Sequence, residues 1–335
     1  MAELHTVIEW IWKIFAPLLL SIGTVGNVLC ICILQRKRMA VLSASLYFTV
    51  LAVVDTIALY MGLTRHLIIY NGNTDPRLES DLACAFHLFF LYSAICLSSW
   101  ILSALTVERC IYVRLPYTAK FICNKRKAAI VVTVLTLLIC AIYSHFLWTV
   151  KIMNVPNNRT CNIIDESFRK WIFPWLDLSL STLIPLVIIS TSNGMIISTL
   201  VRSRFHNKYS NKAKSGNHAI TSMTAMLISV SIGYCLTKMP IAIFLIFDHS
   251  VEEGDVKDLV FSVLSVLEYF HHSINFLLYI VSGPRFRHET RAMFSVVCHF
   301  CRSNQIYSVS HALQTEETDQ LPPQPSNVQP PEQQP

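Results

Sequence analysis

The sequence predicts an all-α membrane protein: a seven-transmembrane helix bundle with a short amphipathic eighth helix and a disordered C-terminal tail. Three observations predict it. Seven apolar stretches are each long enough to cross a hydrocarbon core, which takes about 20 residues in helical form. Hydrophobic residues make up 53% of the chain and charged residues 14%, which excludes a single soluble helical domain. Lys and Arg gather in alternate connections, as a multi-pass topology requires. In lipid the backbone must satisfy its own hydrogen bonds, so the stretches are helices.

Taken in order, Ile14 to Leu34 holds no Asp, Glu, Lys, Arg or His. Ala44 to Thr64 holds only Asp55, Ala85 to Val107 only His87, and Ala128 to Val150 only His145. Trp171 to Val201 holds only Asp177, and Ala219 to Phe247 only Lys238. Leu259 to Val281 holds Glu268, His271 and His272. The first, third and fifth connections carry thirteen Lys or Arg, the second, fourth and sixth only six. The positive-inside rule puts the first set in the cytoplasm, the N-terminus outside and the C-terminus inside. The net charge of +6 is then a product of topology and not a nucleic-acid signal.

The segments divide as an extracellular N-terminus (1–12), the bundle (13–282), a membrane-surface helix with cysteines (283–301) and a disordered cytoplasmic tail (302–335). No cleavable signal peptide is expected; the first span is read as an uncleaved anchor. Pro284 to Phe294 sets Phe286, Met293 and Phe294 among basic residues, the pattern of a helix lying on the inner leaflet. Cys298 and Cys301 follow as palmitoylation candidates, or as idle cytosolic thiols. The tail beyond is Pro, Gln and acidic residues.

The chain has eleven cysteines, most of them inside spans. Cys84 and Cys161 fall outside, where a disulfide persists, so they are expected to pair. Asn158-Arg159-Thr160 beside them is a glycosylation sequon on the correct side. Polar residues within spans must be satisfied in a dry medium and mark candidate sites. They are Asn27, Asp55, Ser98 and a stripe of Glu268, His271, His272, Asn275 and Tyr279 down the seventh span. They read as interhelical glue, as a sodium or proton site around Asp55, or as both. Lys238 is costly at mid-bilayer unless paired, and Glu268 is the carboxylate at similar depth on the next span, so an ion pair is expected.

Gly26-Asn27, Leu51-Ala52 before Asp55, Cys84, Glu108-Arg109-Cys110, Pro185, Pro240 and Asn275-Phe276-Leu277-Leu278-Tyr279 together resemble the rhodopsin-like (class A) G-protein-coupled receptors. The last motif, followed by Ser282-Gly283-Pro284-Arg285-Phe286-Arg287, resembles invertebrate neuropeptide receptors most. The resemblance implies that Glu108 holds Arg109 at rest. On activation the sixth helix swings about Pro240 and frees Arg109 for a heterotrimeric G protein, with Cys110, Asn275 and Tyr279 in the same machinery. It also implies a ligand pocket of Arg65, Leu91, Tyr92, Trp175, Asp177, Lys238, Leu245 and Glu268, and arrestin and kinase contacts at the tail.

The sequence departs from the family at Cys110 and Asn193, where Tyr is usual, at Phe276, where Pro is usual, and at Lys238, where a Trp is common. By the family pattern Leu91 disfavours an amine ligand and Tyr269 disfavours an opsin. The three outer connections hold ten acidic residues and six basic ones, so an acidic vestibule would concentrate a cationic ligand; short basic peptides fit. The alternatives are a seven-span chemosensory receptor for a small molecule and a proton-coupled transporter. The sequence offers no catalytic constellation, metal-spaced Cys/His cluster or Gly-rich phosphate loop, so neither an enzyme nor a cofactor is expected. A plasma-membrane receptor is.

Overall fold

The computed structural model describes residues 2–72, 74–155, 158–206, 214–247 and 254–295, and every structural statement below concerns those residues. Helix α1 runs Ala2–Leu34, α2 is the turn Lys37–Ala40, α3 runs Ser43–Gly72 and α4 Asp81–Arg114. Helix α5 is Pro116–Ile122, α6 Lys125–Tyr143 and α7 the turn Phe146–Thr149. A hairpin of β1 (Val150–Val155) and β2 (Asn158–Ile163) follows. Then come α8 (Phe173–Leu178), α9 (Ile184–His206), α10 (Lys214–Phe247), α11 (Asp255–Ser273) and α12 (Asn275–Ser282). The chain divides into two compact units, residues 1–287 and 288–335. Residues 284–287, in the first, and 288–295, in the second, are helical.

Six segments are long and apolar enough to cross a membrane: Glu3–Leu34, Ser43–Gly72, Asp81–Arg114, Lys125–Thr149, Phe168–Arg202 and Leu227–Leu245. The seventh predicted span is α11 and α12 together. Ile274 separates them at φ −91°, ψ −1°. Main-chain bonds from Ile274 N to Phe270 O and from Leu278 N to Ile274 O, each 3.1 Å, carry across the break. The axis therefore bends and does not end. Beside the break, the His272 carbonyl accepts from Asn27 Nδ2 at 3.4 Å.

Several hydroxyls inside the spans are satisfied within their own helix. Thr24, Thr56, Thr106 and Thr237 each donate to the carbonyl four residues back, at 2.6 to 2.8 Å. That geometry hides a polar group from lipid by sharing a carbonyl of the helix's own ladder. Ser80 caps α4 by accepting from Ala83 N at 3.1 Å, and Asn124 caps α6 by accepting from Lys127 N at 3.0 Å. Helix α6 turns Ile130, Leu137 and Leu138 outward, each more than half exposed, as a lipid-facing helix does.

Helix α4 is the axial element, packed against α3, α6, α9 and the hairpin. Helix α1 packs on α3 and α11. Three details differ from the sequence expectation. Helix α1 begins at Ala2, well before Ile14. Trp12 stacks on His66 with centroids 3.6 Å apart and donates from Nε1 to Ser262 Oγ at 3.3 Å. Ile8 and Trp12 are buried with Leu59, Leu63 and Tyr269, so residues 1–12 hold core side chains and not a plain extension. The fourth connection, expected without strands, forms the antiparallel hairpin, with Ile152 opposite Cys161. The fifth span carries two π-helical turns, Phe168–Ile172 and Ser179–Leu183, ahead of Pro185.

Gly62 is where α3 receives the Tyr269 ring of α11; a Cβ there would fall inside the ring's contact distance. Gly62→Ala should cost about 1–3 kcal/mol by overpacking, read as a lowered unfolding midpoint of purified protein. Gly194→Ala, inside α9 where a Cβ meets nothing within 4 Å, should hold or raise the midpoint, since Ala favours a helix interior over Gly. Equal midpoints for the two variants would contradict the packing described.

Candidate functional site

The polar residues of the spans gather at three levels. The first lies toward the end of the bundle that carries the Cys84–Cys161 disulfide. Lys238 of α10 makes a direct ion pair with Glu268 Oε1 of α11, as expected. Lys238 is 1% exposed and Glu268 16% by side chain, so each charge depends on the other. Asp177 of α8 lies within electrostatic reach of both and accepts from Tyr143 Oη at 2.6 Å. Tyr92 packs among Tyr143, Phe146 and Phe173, with centroids 5.1 to 6.1 Å away. Leu91 is half-buried beside it. Trp175 and Leu245 are exposed over 50% and 36% of their surface, and neither joins this hydrogen-bonded cluster. Arg65 is engaged elsewhere, on Asp75 at 3.0 Å.

The middle level is centred on Asp55, which is wholly buried. Ser98 Oγ donates to its Oδ1 at 2.6 Å, His272 Nδ1 meets the same oxygen at 2.7 Å, and Asn275 Nδ2 donates to Oδ2 at 2.6 Å. Two expected members are placed differently. His271 is not a partner of Asp55; its ring meets Tyr234 edge-on at 5.5 Å. His272, one residue along the helix, takes that place: the α11 face toward α3 is the one that sets Tyr269 against Gly62 and His272 on Asp55. Asn27 stands beside the cluster, bonded to Thr56 Oγ1 at 3.3 Å and to the His272 carbonyl, and does not touch Asp55. Asn27 Oδ1, His272 Nε2 and Asn275 Oδ1 have no protein partner, leaving places where ordered water is favoured.

At the opposite end Glu108 Oε1 accepts from Ser43 Oγ at 2.5 Å and from Arg109 Nη2 at 3.3 Å. Both charged side chains are buried. The Arg109 guanidinium also lies 5.3 Å from the Tyr112 ring centroid, a cation–π arrangement. Cys110 is buried next to it. Tyr279 packs edge-on against Phe48 at 4.8 Å and Phe286 at 5.6 Å. Pro240 lies inside α10. Asn158 begins β2, but its side chain lies outside the described residues, as do Cys298, Cys301 and the tail.

Three participants were missed in the sequence. Tyr143 and Ser43 carried no signal, being single hydroxyls near span ends. His272 was visible in the polar stripe but was passed over for its neighbour.

A seven-helix bundle with buried charge at both ends and a polar centre defines a membrane receptor. A sequence model of the family described as "7 transmembrane receptor (rhodopsin family)" matches residues 26–279, and the chain belongs to that family. It is a G-protein-coupled receptor, a multi-pass protein of the plasma membrane, which decides against the transporter alternative. It is 25% identical over 286 residues to C-C chemokine receptor type 1 of Macaca fascicularis, covering 83% of this chain and 77% of that one. It is 25% identical over 341 residues to neuromedin-U receptor 2 of Homo sapiens, covering 94% and 76%. With galanin receptor type 2 of Rattus norvegicus it shares 24% over 228 residues, covering 68% and 60%.

Lys238→Met or Glu268→Gln should each strand one charge, at a cost of about 3–5 kcal/mol, seen as reduced surface expression and a lower unfolding midpoint. Exchanging the two, Lys238→Glu with Glu268→Lys, should recover part of what either reversal loses. Strictly additive losses would contradict the contact.

Proposed function

We propose that this receptor takes a short cationic peptide at its disulfide-side end and signals through Arg109 at the other. The observation that carries the ligand class is charge. Asp177 and Glu268 set two carboxylates against one ammonium, Lys238. That residual negative charge, near Tyr92, suits a ligand's basic group, and the acidic excess of the connecting segments concentrates cations near it. Arg65, Leu91, Trp175 and Leu245 complete the proposed pocket wall. The names of the relatives, receptors for a chemokine, for neuromedin U and for galanin, favour a peptide. The disulfide end and the N-terminus are then extracellular, with Asn158 glycosylated. The Arg109 end faces the cytoplasm, where Cys298 or Cys301 is acylated into lipid and the tail meets kinase and arrestin.

The signal follows from differential binding, since a ligand shifts an equilibrium only by preferring one state. The Lys238–Glu268 pair joins α10 to α11. A basic ligand group competing for Glu268 weakens that tie, and Pro240, lacking an amide hydrogen, gives α10 a place to bend. Movement of α10 opens the inner end. Arg109 leaves Glu108, which keeps its Ser43 partner, and the guanidinium meets the G protein. Asp55, Ser98, His272 and Asn275, with Asn27 beside them, form the polar core through which α3, α4 and α11 adjust; a hydrated sodium ion is its proposed resting occupant.

Arg109→Ala should abolish ligand-driven G-protein activation while surface expression stays within about twofold of wild type. Calcium and cAMP readouts in cells exposed to basic peptide pools measure it. Undiminished signalling by the variant would remove the coupling role; a receptor answering only to non-peptide compounds would remove the ligand class.

A further inference from the structure

Resting on the peptide reading above, we propose that the cavity between the disulfide-side ends of α1 and α3, the Pro76–Leu78 turn and β2 is a carboxylate site. It takes the free C-terminal carboxylate of the peptide.

The cavity measures about 480 Å³, and its walls include Arg65, Arg77, Arg159, Asp75, Glu9 and Tyr70. Asp75 fixes two guanidinium groups at once. Arg65 donates to Oδ2 from Nε at 3.2 Å and from Nη2 at 3.0 Å. Arg77 donates to Oδ1 and Oδ2 from Nε at 3.1 Å and to Oδ2 from Nη2 at 2.7 Å, with its backbone N on Oδ1 at 3.0 Å. One carboxylate therefore balances two cations. Glu9 does not redress the surplus, because Lys13 holds it at 2.5 Å. Arg159 lines the same recess, braced through Nη2 on the Leu78 carbonyl at 3.2 Å.

The side chains of Arg65, Arg77 and Asp75 are between 14% and 24% exposed, so the surplus charge sits in a partly dry recess. There a second anion gains more than it would in bulk water. A guanidinium held rigid by one carboxylate presents its remaining N–H edge at a fixed angle, which is geometry for a planar, bidentate acceptor. Asp75 keeps its own charge. Burial works against ionisation, but the hydrogen bonds from Arg77 and Arg65 outweigh it and hold the carboxyl well below the usual range.

The recess and the deeper cluster have two tyrosines between them. Tyr92 and Tyr269 each lie within reach of Arg65 and Arg77 on one side and of Glu268 on the other. The two regions carry opposite surpluses, positive at Arg65 and Arg77, negative at Asp177 and Glu268. A short zwitterionic peptide matches both, its basic group placed deep and its carboxylate at the arginines.

Random tetrapeptide pools with Arg or Lys in the first position, made as free acids and as C-terminal amides, test this. G-protein activation and the shift in unfolding midpoint of purified receptor are the readouts. Free-acid pools are expected to be about tenfold or more as potent as amides, the worth of one charge-assisted hydrogen bond. In Arg77→Gln the acid pools should fall to the amide level while the amide response stays. If Arg77→Gln fails to reach the surface, Arg77→Lys, which keeps the charge and loses the fork, is read instead with the same expectation. Equal potency of the two pools on wild type, or an acid preference that survives the Arg77 variant, would overturn the carboxylate site and leave the peptide reading standing. Activation by acetate or succinate alone would assign the site to free small acids and overturn the C-terminal assignment. Silence from every pool would overturn both.

Discussion

A carboxylate at the centre of a lipid-embedded bundle cannot stand alone. Asp55 is wholly buried, and an unpaired ion at such a place costs several kcal/mol. It is met by Ser98 of α4, His272 of α11 and Asn275 of α12, so three helices must converge on α3 with side-chain precision. The His272 carbonyl accepts from Asn27 and brings α1 to the same point. Around that centre the apolar packing closes: the Trp12 indole on His66 and the Tyr269 ring against Gly62.

The other charged groups follow the same rule on a smaller scale. Each buried charge finds its opposite on a neighbouring residue or helix, Lys238 with Glu268 across α10 and α11, Arg109 with Glu108 within α4. These pairs differ in what else holds them. Glu108 has a second donor in Ser43, so losing Arg109 does not leave it bare. Lys238 is bonded to Glu268 and to no other residue among those described. An ion pair with one side already satisfied is a natural point of release, and a pair whose partners have little else is a natural latch. That asymmetry gives a two-state receptor its direction.

Much of this was legible in the sequence, because lipid is an unforgiving solvent. Apolar run length gave the spans, compartment gave the Cys84–Cys161 bond, and the scarcity of carboxylates at depth paired Lys238 with Glu268. Helix phase was harder. A one-residue step of about 100° separates His271 from His272, and the sequence could not say which faced Asp55 without knowing how α11 rotates. Short polar donors such as Tyr143 and Ser43 were invisible for a different reason: a single hydroxyl near a span end is ordinary until its partner is known. The hairpin was hidden because its strands pair through backbone atoms, and the early start of α1 because its core contacts lie with α3 and α11.

The centrality of Asp55 is tested most directly by a double-mutant cycle with His272. Unfolding free energies of purified receptor would be measured for Asp55→Ala, His272→Ala and the double variant in one detergent at one ionic strength. Residues sharing one hydrogen-bond network are coupled by about 0.5–3 kcal/mol. The double variant is therefore predicted to lose less than the sum of the singles by about 1 kcal/mol or more. Strict additivity would contradict the convergence of the bundle on this carboxylate.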